Sequence, residues 1–115
     1  MIAGNWKMHK TVSEAVELAE DIVMETNGTL NEVVIFPPFT ALETVADAID
    51  GKHVATAHRI CIGKTRVPFT GAVSGAMIAD ICAEYVLVGH SERRTISVRT
   101  KKLLPARLLP LTATA

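Results

Sequence analysis

Tyr85-Val86-Leu87-Val88-Gly89-His90-Ser91-Glu92-Arg93-Arg94 is the stretch that decides the fold. Four apolar residues bounded by glycine read as a short strand buried on both faces. An imidazole follows at the strand's tip, and Ser91 is a side chain suited to cap a helix opening at Glu92. His90 is therefore expected where the C-terminal end of a strand meets the positive end of a helix dipole. Titratable groups held between strand ends and helix starts are a common arrangement in parallel βα proteins.

Working outward from this strand, the same alternation recurs along the chain. Ile2-Ala3-Gly4-Asn5-Trp6 reads as a first strand. Thr11 and Glu14 have the spacing of a capping box. Val12, Val16, Ala19 and Val23 then recur at three- and four-residue steps, predicting a helix that stops near Asn27-Gly28. Val33-Val34-Ile35-Phe36 is a second strand ended by Pro37-Pro38. Thr40 and Glu43 repeat the capping-box spacing ahead of a helix through Leu42, Val45, Ala46 and Ile49, which stops at Asp50-Gly51. Val54-Ala55-Thr56-Ala57 is a third strand. After a longer loop from Arg59 to Gly71, a helix is expected from about Ser74 to Ala83. Apolar strands separated by helices imply parallel pairing with right-handed crossovers.

Composition narrows the function classes. Twelve Lys and Arg balance twelve Asp and Glu among 115 residues, so nothing directs the chain to nucleic acid or to an anionic membrane. The apolar runs are strand-sized, well short of a membrane span, and no signal peptide opens the sequence. Cys61 and Cys82 match no metal-ligand spacing. They read as reduced thiols of a cytoplasmic protein, with no metal site expected.

Asn5-Trp6-Lys7-Met8 near the start, Pro37-Pro38-Phe39-Thr40, Phe69-Thr70-Gly71 and Gly89-His90-Ser91-Glu92-Arg93-Arg94 fall in an order that resembles the triosephosphate isomerase family. The resemblance covers residues 2–96. It implies the first four βα units of a (β/α)8 TIM barrel, left incomplete, with residues 1–96 as the barrel portion. It also implies interconversion of glyceraldehyde 3-phosphate and dihydroxyacetone phosphate in glycolysis and gluconeogenesis, by a cytoplasmic homodimer without a cofactor. On this resemblance Lys7 contacts substrate oxygen and phosphate, with Asn5 as its polar neighbour. His90 is the neutral imidazole that polarises the substrate carbonyl, and Glu92 is the second active-site carboxylate. Phe69 and Thr70 belong to the loop that reaches a neighbouring subunit. Arg93 and Arg94 are structural ion-pair partners. Three departures stand inside the match, one of them His9 where Asn is common. Ala72 follows Phe-Thr-Gly where family members usually carry Glu, and His58-Arg59 stands where they usually carry Gln-Asn.

A full barrel takes about 250 residues, and no segment after Arg94 resembles the family's catalytic Glu, its lid or its phosphate loops. Glu43 and Glu84 fall in a helix and at a strand's beginning, so neither substitutes. The expectation is a chain that is an isomerase by family but inactive as it stands. The alternative is a non-catalytic truncated half-barrel that aggregates or is held by a chaperone, through an open strand edge and an uncovered barrel interior. Residues 97–115 change character, with Leu103-Leu104-Pro105 and Leu108-Leu109-Pro110, scattered basic residues and no acidic one. A back-translation of this tail, read from the third base of the Ile96 codon, spells FGENEEVAARKVAAANRHG. That string is an amphipathic helix resembling the segment after the His-Ser-Glu-Arg-Arg motif in the family. The tail is accordingly expected to be a frame-shifted, disordered, non-family segment produced by one missing base near codon 96.

Overall fold

The computed structural model describes residues 1–59, 73–88 and 90–91, together with the backbone of 108–110. Strand β1 (Ile2–Asn5) leads to helix α1 (Val12–Glu25), strand β2 (Val33–Phe36), helix α2 (Leu42–Ala48) and strand β3 (Val54–His58). Helix α3 (Gly75–Asp80), strand β4 (Tyr85–Leu87) and a short strand β5 (Leu108–Pro110) complete the order. The sheet runs β1-β2-β3-β4-β5. The first three pairings are parallel, with Ile2 opposite Val33, Val33 opposite Val54 and Ala57 opposite Tyr85. β5 lies antiparallel to β4, with Val86 opposite Leu109. Of the 97–115 tail, only this backbone segment belongs to the described residues.

Alternation along β2 explains the layering. Side chains two apart share a face of a strand. Val33 and Ile35 accordingly join Ala15, Ala19, Ala41, Val45, Ile49 and Val54 in the core between sheet and helices. Val34 and Phe36 face the other way and cluster with Ala57. All four β2 residues are buried, as expected of a strand covered on both sides. On that face Val34 and Ala57 are fully buried, whereas Ala55, Tyr85 and Leu87 are only half-buried. The open edge is present: β1 ends the sheet, and Ile2 at its start is 55% exposed.

α1 begins as its sequence indicates. The Glu14 carboxylate turns back to Thr11, accepting from its backbone N–H at 2.8 Å and from its hydroxyl at 2.8 Å. Those bonds lower the Glu14 pKa, the backbone donor contributing most, followed by the hydroxyl and then the charge of Lys10. At its far end Thr26 donates its hydroxyl to the Ile22 carbonyl at 2.6 Å.

α2 does not follow the second capping-box pattern. Phe39–Ala41 forms a 3-10 turn, and Leu42 opens the α-helix with Ala41 at its cap and no side-chain capping bond. The extended backbone at Pro38 and the Ala41 N–H bond to the Pro38 carbonyl at 3.0 Å set a tighter turn first, which removes Thr40 from the capping position. α3 is also shorter than its sequence pattern. Ser74 caps it by accepting from the Met77 N–H at 3.3 Å, but Cys82 takes φ +55° and turns the chain toward β4.

Candidate functional site

Because β1 to β4 are mutually parallel, their C-terminal ends open on one rim, and the residues beyond them collect there. Asn5 is the last residue of β1, and its side-chain oxygen accepts from the Lys7 N–H at 3.0 Å. Asparagine is suited to this because its short side chain reaches a backbone donor two residues on. The His9 N–H donates to the Trp6 carbonyl at 3.1 Å, which places Lys7 in the first central position of a tight turn. Its φ of +53° is left-handed, a conformation that costs a non-glycine residue roughly 1–2 kcal/mol. The Lys7 side chain is exposed above the rim. Trp6 packs down against the helix-facing core and anchors the turn from below.

β3 contributes His58 and Arg59. His58, its final residue, is 4% exposed. Its ring meets that of Phe39 edge-on, with centroids 5.3 Å apart and planes at 88°, the T-shaped geometry favoured by aromatic quadrupoles. Phe39 comes from the 3-10 turn after β2, so the contact joins neighbouring strand ends. Arg59 reaches further along the sheet, past the end of β2, and donates through Nη1 to the Lys7 carbonyl. Partial burial lowers the Arg59 pKa, desolvation being the cause.

Beyond β4, His90 is half-buried and Ser91 is exposed. Ser91 has helical backbone, and the residues expected to continue the helix from Glu92 lie outside the described residues. Glu92, Arg93, Arg94, Phe69, Thr70 and Ala72 lie outside the described residues. Asn5, Lys7 and His90 therefore share the rim. Arg59 joins them by reaching Lys7 across 52 positions of sequence, a contact that no local pattern signals. Its unusual place after β3 was the one available hint. Glu43 sits in the first turn of α2, and Glu84 precedes β4 with its N–H bonded to the Thr56 carbonyl at 3.0 Å. Among the described residues no cluster of His, Cys, Asp and Glu could hold a metal ion, and no helix is long and apolar enough to cross a membrane.

The family model described as triosephosphate isomerase aligns with residues 1–111. The chain belongs to the triosephosphate isomerase family. A triosephosphate isomerase of Caldanaerobacter subterraneus is 38% identical over 109 residues, covering 95% of this chain and 44% of that protein. One from a Roseiflexus species is 43% identical over 97 residues, covering 84% of this chain and 38% of the relative. The crystal structure of triosephosphate isomerase from Bartonella henselae superposes with a TM-score of 0.73 at 34% identity, covering 83% of this chain and 39% of that one. The chain thus spans less than half the length of these family members, and its fold is the opening portion of an α/β TIM barrel.

Proposed function

We propose that this chain carries the electrophilic part of a triose phosphate isomerisation site, acting on glyceraldehyde 3-phosphate and dihydroxyacetone phosphate. The observation that supports the reading is that Asn5 ends β1 while Lys7 and His90 follow the ends of the parallel strands β1 and β4, in a chain of this family. Isomerisation of a ketose phosphate needs a base for a carbon-bound proton, and electrophiles for the enediolate charge that develops as it leaves. Lys7 is the cation for substrate oxygen and phosphate, with Asn5 shaping its turn. His90 polarises the carbonyl, and Glu92 is the carboxylate beside them. Phe69 and Thr70 serve the contact between subunits of a homodimer. No cofactor enters this chemistry.

The proton-abstracting carboxylate is assigned to a part of the family fold that these 115 residues do not match, so the chain by itself is proposed to lack turnover. A coupled assay of purified chain, with His90→Ala beside it, tests both parts. Rates equal to buffer for both proteins are expected. Turnover that His90→Ala abolishes would overturn the proposed inactivity while supporting the reaction. The exposed edge at Ile2 favours a second role for the isolated chain, in which β1 recruits another polypeptide.

A further inference from the structure

We propose that Arg59 is a positioning residue that locks the Lys7 turn, so that the ammonium assigned to substrate stands at a fixed place on the rim. The inference rests on the reading of Lys7 given above. Three observations carry it. Lys7 has left-handed backbone at φ +53°, which a lysine leaves for extended conformations unless neighbouring groups hold it. Its N–H is held from below by Asn5 at 3.0 Å. Its carbonyl is held from the side by the guanidinium of Arg59, a residue from a different strand.

The two restraints have different consequences. Asn5 acts within the turn and moves with it. Arg59 directly follows β3, whose last residue His58 is buried and packed against Phe39. Its bond therefore fixes the turn relative to the sheet. Arg59 is half-buried, and a carbonyl oxygen provides the partner that a partly desolvated donor requires. A hydrogen bond from a charged donor is stronger than a neutral one, enough to offset left-handed backbone at a single residue. An arginine at this position thus supplies from the β3 end a tie that β1 and its own loop cannot make.

The test uses the full chain, isotopically labelled, with inorganic phosphate as probe. In the unmodified chain the Lys7 Cα and Cβ shifts should report left-handed backbone. Arg59→Met should move them toward extended values while leaving the resonances of Ile2–Asn5 and Val33–Phe36 in place, and Arg59→Lys should restore most of the original pattern. Phosphate affinity should fall roughly tenfold in Arg59→Met, equivalent to about 1.4 kcal/mol. Unchanged Lys7 shifts in Arg59→Met overturn the proposal. If Arg59→Met disturbs the whole sheet, Arg59→Gln decides. Altered Lys7 shifts with intact sheet resonances then support the tie, and a disturbed sheet or an unmoved Lys7 overturns it. A separate result bears on Lys7 itself: if its resonances ignore phosphate in the unmodified chain, the substrate reading fails even where the shift changes show the tie to be present.

Discussion

The edge-on contact of Phe39 and His58 makes a sharp prediction about how the rim is braced. The perturbation is a double-mutant cycle of Phe39→Leu and His58→Gln, the second change installing the residue usual in the family. Aromatic pairs in good geometry contribute about 0.5–1.5 kcal/mol beyond the area they bury. Centroids 5.3 Å apart at 88° satisfy the geometry, but Phe39 is 53% exposed, and water competes for its open face. The coupling should therefore fall in the lower part of that range, roughly 0.5–1 kcal/mol. Whatever else either ring touches cancels in the cycle provided the single changes create no new contact. Trp6 is the single tryptophan of the chain and packs on the core, so its fluorescence during urea unfolding reads all four proteins. A coupling below about 0.3 kcal/mol is indistinguishable from additivity. That result would refute the idea that the ring contact braces the ends of β2 and β3.

Two further predictions concern the chain's start and its end. The Glu14 carboxylate has a pKa held below its ordinary 4.5 by the donors of Thr11. A lowered folded-state value gives stability that is present above 4.5 and lost as pH falls through the lower folded value. Thermal melting across an acid series should therefore find the unmodified chain more stable than Glu14→Gln near neutrality and converging with it in acid, and a gap that does not narrow would contradict the assignment. For the tail, we propose that one base is missing near codon 96. Nucleotide sequence running past the present last codon should open an isomerase-like frame when a single base is restored, and the absence of such a frame would refute the proposal.

The strands were legible because burial on both faces demands uninterrupted apolar runs. Val33-Val34-Ile35-Phe36 satisfies that demand, and its four residues are β2. α1 was legible for two independent reasons, the helical spacing of its apolar residues and the Thr11–Glu14 pairing. The same pairing at Thr40 and Glu43 misled, because a capping box presupposes that the helix starts at its first member. After Pro37-Pro38 the chain takes a 3-10 turn, and that turn occupies the residues the box would have used. The early end of α3 had no local sign, since Cys82 adopts the left-handed backbone usually given to glycine. At the rim, Asn5, Lys7 and His90 were singled out by the resemblance of Asn5-Trp6-Lys7-Met8 and Gly89-His90-Ser91-Glu92-Arg93-Arg94 to the family's motifs, since a lone lysine or histidine after a strand would not have stood out. The tie from Arg59 to Lys7 could not be foreseen, because a side chain meeting a backbone carbonyl across three strands leaves no periodicity in either segment.

The charge at the rim bears on the electrophilic role proposed for it. Its described segments after β1, β2, β3 and β4 are 6–10, 37–40, 59 and 88–91 with residue 89 excepted, and they contain lysine, arginine, histidine, serine and threonine but no carboxylate. Of the acidic residues near these segments, Glu14 is committed to the start of α1 and Glu43 to the first turn of α2, while Glu92, next after Ser91, lies outside the described residues. Positive and hydrogen-bonding groups at the mouth stabilise negative charge as it develops on a substrate oxygen, which is the larger part of the electrostatic work in such a reaction. They do not remove a proton from carbon, a task that calls for a base of matched pKa within hydrogen-bonding reach. A binding measurement is thus the more direct probe of what these residues do than a turnover measurement.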